Sequence, residues 1–133
     1  MKICVTSMGD NLDSDVDPRF GRCKYFLIID TDSMNVKSVS NDSMMASGGA
    51  GIQAAQMVAK TGAGIVITGN IGPNAFQTLK AAGVKVITGV NGGIKDVVDM
   101  FNRGELKKIE VSSVGSHFGM GGTGRGFGRG GNL

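Results

Sequence analysis

Two hydrophobic periods meet near residue 50 of this chain, and that change restricts its fold more than any other feature. Before it, Lys2 to Met8 alternates Ile3, Val5 and Ser7 against Cys4, Thr6 and Met8. Lys24 to Asp30 and Asn35 to Ser40 read as two further strands around the turn-rich Thr31-Asp32-Ser33-Met34. Three such strands form a meander. From Ala50 the spacing becomes helical, with Ile52, Ala55, Gln56 and Ala59 in phase and Gly62-Ala63-Gly64 as the stop. Ile65 to Thr68 is a short apolar strand. Pro73 suits the first turn of a helix over Asn74 to Ala82, with Phe76 and Leu79 inward, and Val84 to Thr88 repeats the buried-strand pattern. Strand, helix and strand in this order require a right-handed crossover and a parallel pair. The chain is therefore expected to be α/β with a mixed sheet. A third helix is expected over Ile94 to Asn102, with Val97, Val98 and Phe101 on one side, and Leu106 to Val111 reads as a last strand or an extended linker.

A length of 133 residues fits one domain with a continuous core. Beyond Ser112 the composition changes. The glycines from Ser116 to Gly131 offer too little side chain to offset their ordering entropy, so a domain over residues 1–111 and a flexible glycine-rich tail over 112–133 are expected. Two of the three net positive charges belong to that tail, through Arg125 and Arg129. The body is then nearly neutral, with one tyrosine and no tryptophan, which argues against a nucleic-acid partner. No segment has the apolar length needed to cross a bilayer, and the strand pattern begins without a secretory leader, so no membrane partner and a cytoplasmic location are expected. Two distant cysteines fit free thiols in a reducing compartment.

The candidate chemistry lies in loops. Asp17-Pro18-Arg19-Phe20-Gly21-Arg22-Cys23 puts two guanidinium groups, a flexible glycine and a thiol between two strands, with Asp17 a candidate partner for Arg19 or Arg22. Arg19, Arg22 and Lys24 around Cys23 are expected to favour its thiolate, which makes Cys23 a ligand candidate; Cys4, inside a strand, is expected to be buried and inert. Met44 and Met45 stand in a polar stretch where packing does not require them. They read equally as soft metal ligands or as adaptable contact surface. Gly49-Ala50-Gly51-Ile52-Gln53-Ala54 matches a dinucleotide fingerprint, but a polar stretch separates it from the preceding strand and no acid follows at the required distance. The glycines Gly48, Gly49 and Gly51 still expose amides at a helix start, where an anion is favoured. Asp13-x-Asp15-x-Asp17 imitates the start of a calcium loop, yet Pro18 and Lys24 occupy the positions that need glycine and glutamate. His117 is the single histidine and cannot build a zinc site alone. No serine, histidine and acid arrangement supports hydrolysis, so a binder rather than an enzyme is expected.

Several of these segments carry a resemblance. The strand Met1 to Ser7, Asp17-Pro18-Arg19-Phe20-Gly21-Arg22, Tyr25 to Ile29, Gly48-Gly49-Ala50-Gly51 and Gly69-Asn70-Ile71-Gly72-Pro73-Asn74-Ala75-Phe76 resemble the dinitrogenase iron-molybdenum cofactor biosynthesis family over about residues 1–111. That family includes NifX- and NafY-like proteins and the carboxyl-terminal part of NifB. The resemblance implies a ribonuclease H-like three-layer fold, a mixed five-stranded sheet flanked by helices. It does not imply nuclease activity, because Ile3 to Ser7 and Ile65 to Thr68 lack the acids that two metals would need. It implies an accessory protein that binds or carries an iron-sulfur or molybdenum-containing cluster or its precursor. Some small stand-alone members are similar to a molybdenum-copper cluster carrier.

The expected site sets Arg19, Phe20, Arg22, Gly48, Gly49 and Gly51 around an anionic cluster, with Cys23, Met44, Met45 and His117 as metal-ligand candidates. Two other readings use the same residues. One is an interaction module docking an ATPase or metalloenzyme; the other is an enzyme for a small phosphate ligand.

Overall fold

The computed structural model describes residues 1–42 and 49–106. The strands β1 (Lys2–Ser7), β2 (Tyr25–Asp30) and β3 (Val36–Ser40) come first. They are followed by α1 (Ala50–Ala59), β4 (Ile65–Ile67), α2 (Pro73–Ala81), β5 (Lys85–Ile87) and α3 (Ile94–Asn102). One mixed sheet has the order β3-β2-β1-β4-β5. Antiparallel pairing of β1 with β2 and β2 with β3 is the expected meander. Parallel pairing of β1 with β4 and β4 with β5 follows the change of period, since α1 and α2 supply the crossovers that parallel strands need.

Alternation along the strands separates two cores. Cys4, Phe26, Ile28, Val66 and Val86 face α1 and α2, which contribute Ala54, Val58, Phe76 and Leu79. Ile3, Val5, Leu27, Ile29, Ile65 and Ile67 face the other way, against Ile94, Val97 and Val98 of α3. Helices thus cover both faces of the sheet. Each fully buried side chain of the size of Leu79 or Ile67 contributes about 1.5–3 kcal/mol relative to exposure. The central strand β1 is buried from Ile3 to Ser7 because it has a neighbour on each side and a helix layer on each face.

The phase of α1 differs from the expected one. Ala50, Ala54, Ala55 and Val58 form its buried face, whereas Ile52 is 36 % exposed and Gln56 is exposed. The small alanines let α1 lie close to α2 and the sheet, and the bulkier Ile52 turns toward the end of the sheet where the loops gather. Of the expected last strand, Leu106 packs against the core below α3, and the remainder lies outside the described residues.

At that same end the chain leaves two adjacent parallel strands in opposite directions. β1 leads to β2 on one side, and β4 leads through α2 to β5 on the other. Such a divergence opens a crevice at the carboxyl ends of the strands, where ligands of open α/β sheets bind.

Candidate anion-binding site

The first wall of the crevice is the loop after β1, which is pinned from below. Thr6 Oγ1 lies 2.7 Å from the Asp17 carbonyl oxygen and 2.8 Å from Thr68 Oγ1, so a buried hydroxyl pair ties the ends of β1 and β4 to the loop. The Asp17 backbone N–H donates to Thr6 O at 2.9 Å. Asp17 itself is 2 % exposed, and its carboxylate accepts from the Arg19 backbone N–H at 3.0 Å and from Arg19 Nε at 3.3 Å. This hydrogen bond raises the Arg19 guanidinium further above its ordinary value, with the charge of Asp17 adding to the effect. The pair expected between Asp17 and an arginine is therefore made with Arg19.

The second wall is the turn between β4 and α2. Asn70 N–H donates to Pro18 O at 2.7 Å, and Phe20 N–H donates to Asn70 O at 3.1 Å. Gly69 permits this stitch, because a Cβ there would stand 2.7 Å from Pro18 Cα. The two loops run side by side as one unit.

Phe20 and Cys23 anchor the first wall by burial, although Phe20 also borders the groove between the walls. The Phe20 ring is 2 % exposed and packs against Phe26 with centroids 5.6 Å apart. The expectation of a Cys23 thiolate is overturned. Cys23 is fully buried, its Sγ–H donates to Phe20 O at 3.3 Å, and burial, with the nearby Asp17 charge, pushes the thiol up to about 12. The side chains of Arg19, Arg22 and Lys24 extend toward solvent and do not offset the loss of hydration. Cys4 is buried as expected, and burial raises its thiol well above the ordinary value. Asn41, just after β3, holds the loop from the side, donating from Nδ2 to Cys23 O at 2.9 Å and to Gly21 O at 3.2 Å.

A groove of about 380 Å³ lies between these walls and two helix starts. Arg19 and Arg22 flank it on one side; Gly49, Gly51 and Ile52 of the α1 start and Asn70, Gly72 and Asn74 of the α2 start complete it. Neither helix start has a side-chain cap, and neither first turn contains an acid. The first amides of each start thus have no side-chain cap, and the positive dipole ends favour an anion there. Among the described residues the lining contains no carboxylate. Among the described residues, no three His, Cys, Asp or Glu side chains are grouped to hold a metal ion. The groove can therefore neutralise and hydrogen-bond a ligand that brings its own negative charge.

The structure brings together Arg19, Phe20, Arg22, Gly49 and Gly51 of the expected site. Gly48, Met44, Met45 and His117 lie outside the described residues. Sequence reasoning missed the α2 wall. Gly72-Pro73 was its available signal, since a glycine before a helix-starting proline leaves the first amides without a side-chain cap.

Fold and groove together define an α/β protein with a mixed five-stranded sheet and an arginine-flanked crevice at the ends of its strands. The profile of the family described as dinitrogenase iron-molybdenum cofactor matches residues 1–104, and the chain belongs to that family. The family resemblance read from the sequence is thereby borne out, and with it cofactor biosynthesis and cluster binding as the class of work. The chain is 43 % identical to the orange protein of Desulfovibrio gigas, solved in its apo form, with a TM-score of 0.83 over 85 % of this chain and 96 % of that one. It is 37 % identical to a putative NifB protein from Thermotoga, TM1290, with a TM-score of 0.74 over 85 % of this chain and 97 % of the other. An uncharacterized protein of Methanocaldococcus jannaschii, MJ0580, is 30 % identical over 98 residues, which cover 71 % of this chain and 83 % of the relative. Among the described residues no helix is long and apolar enough to cross a membrane.

Proposed function

We propose that this chain is a non-enzymatic accessory protein that holds an anionic iron- or molybdenum-sulfur cluster, or a precursor of one, as cargo in the groove between α1 and α2. The scaffold is read as ribonuclease H-like, with its strand ends serving as a cradle. One observation carries the proposal: two uncapped helix starts and two arginines converge on a groove whose described lining residues include no carboxylate. A metal-sulfur cluster arrives with sulfide ligands and net negative charge. It needs counter-charge and hydrogen-bond donors to its sulfurs, and charge-assisted bonds from guanidinium groups are the stronger kind. The amides of Gly49, Gly51 and the α2 start supply further donors. Metal ligands from Met44, Met45 or His117 would add to this set and are part of the proposal. Cys23 is not, because its thiol is buried and protonated.

Reconstitution without oxygen tests this reading. The full chain is incubated with iron, sulfide and molybdate or copper, desalted, and measured for metal content and visible absorption. Retained metal with a new absorption band is the expected result. No retained metal under any combination, together with a thermal shift from phosphorylated metabolites, would favour the phosphate-ligand reading of the same groove.

A further inference from the structure

Among the described residues β3 is the longer of the two strands that end the sheet. Asp30 N–H donates to Asn35 O at 2.9 Å and Asn41 N–H donates to Lys24 O at 3.0 Å, so alternate residues from Asn35 to Asn41 bond to β2. Antiparallel pairing then turns the N–H and C=O groups of Val36, Ser38 and Ser40 away from the sheet. Among the described residues these groups have no hydrogen-bond partner. Of the devices that blunt an exposed edge, β3 has no proline and no break in register, only the single Lys37.

A hollow of about 260 Å³ lies beside this edge. Ile28, Val36 and Val39 give it an apolar lining, and Lys2 and Lys37 stand there against the one carboxylate of Asp30. That carboxylate is already engaged: its Oδ1 accepts from Asp32 N–H at 2.9 Å and lies 3.9 Å from the Met1 amino group. Neither lysine forms an ion pair among the described residues. Strand alternation puts both lysines on the face of Ile28 and Val39. Free main-chain groups beside an apolar hollow suit an added strand, whose backbone supplies affinity and whose alternate side chains supply specificity.

Charge decides between the occupants. A second copy paired through its own β3 would turn the lysines of both copies toward one another, and the segment Lys107-Lys108-Ile109-Glu110-Val111 of this chain carries two lysines to one glutamate. An acidic segment meets no such repulsion. We infer that the β3 edge docks an extended segment of another protein, paired with Val36 to Ser40, that sets an apolar side chain in the hollow and acidic ones two positions away on the same face. The hollow lies at the amino end of β1, whereas the cargo groove lies beyond its carboxyl end, so a docked partner leaves the groove free.

The probe is a labelled, end-blocked heptapeptide with valine at its centre, glutamate two positions to either side and threonine elsewhere, titrated into the full chain by fluorescence anisotropy. It is expected to bind and to slow hydrogen exchange of the Val36, Ser38 and Ser40 amides. Lysine in place of glutamate, or N-methylation of consecutive central amides, is expected to weaken binding about tenfold or more. Lys2→Ala/Lys37→Ala is expected to weaken it about three- to tenfold. Arg19→Ala/Arg22→Ala is expected to leave it unchanged, and its loss in that variant would put the peptide in the groove and overturn the edge site. No binding, equal binding of the lysine or N-methylated peptide, or unslowed exchange along β3 would overturn it too. A dimer in sedimentation that protects the same amides without peptide would assign the edge to a second copy and overturn the choice of partner.

Discussion

Gly21 and Gly51 meet backbone to backbone: a Cβ on Gly21 would stand 3.0 Å from Gly51 Cα and 3.2 Å from Gly51 N. A Cβ on Gly51 would in turn stand 3.3 Å from Ala75 Cβ. The first loop, the α1 start and the α2 start therefore close on one another through two glycines and the small Ala75, and this contact sets the width of the groove.

Gly21→Ala is predicted to force these walls apart and to destabilise the fold by about 1–3 kcal/mol, as over-packing does. Gly72→Ala is the matched control. It has ordinary extended dihedrals and nothing within 4 Å of the added carbon, so its effect should stay within about 0.5 kcal/mol. Urea unfolding of both variants measures the difference.

Asp17→Asn separates charge from position. If the Asp17 carboxylate acted only as a nearby negative charge, its removal would tighten anion binding. Because it holds both the backbone and the guanidinium of Arg19, binding is predicted to weaken instead. Titration with tetrathiomolybdate at two salt concentrations reads the sign directly, since a purely coulombic gain would fade with screening.

Cys23 is predicted to be silent toward cargo and sensitive to alkali. Its folded thiol lies near about 12, whereas the unfolded thiol titrates near its ordinary value of 9.0. The protonated form is thus favoured by folding, and this contribution is complete below the unfolded value and lost as pH rises from there through the folded value. Cys4 acts in the same direction. Urea midpoints measured across this range should fall with pH, and Cys23→Ala should reduce the slope while leaving cargo affinity unchanged. Iodoacetamide should label neither thiol at neutral pH until the chain unfolds.

Asn41→Ala removes the donor that holds Gly21 O and Cys23 O. Loss of a buried partner for two carbonyls is predicted to cost about 1–3 kcal/mol. Faster hydrogen exchange of the amides from Arg19 to Lys24 would report the released loop.

Periodicity made much of the fold legible. The third helix falls at Ile94–Asn102 as expected, and the strands differ from expectation only by a residue or two at their ends. The phase of α1 was not legible, because alanines and Ile52 carry similar apolar signals and only close packing decides which of them face inward. In the site, Arg19, Arg22, Gly49 and Gly51 were legible as cations and open amides. Cys23 was misread because sequence proximity to arginines says nothing about burial, and here burial dominates. The α2 wall was hidden by distance: Asn70 reaches the first loop, and Gly72 the groove beside it, only through the parallel pairing of β1 with β4.

The central claim is that Arg19, Arg22 and the two helix starts hold a sulfur-ligated anion. Molybdenum analysis of the full chain after anaerobic loading with tetrathiomolybdate and desalting tests it most directly. The unmodified chain is predicted to retain molybdenum, and the Arg19→Ala/Arg22→Ala variant to lose most of it while remaining folded. Equal retention by both, or none by either, would contradict the account.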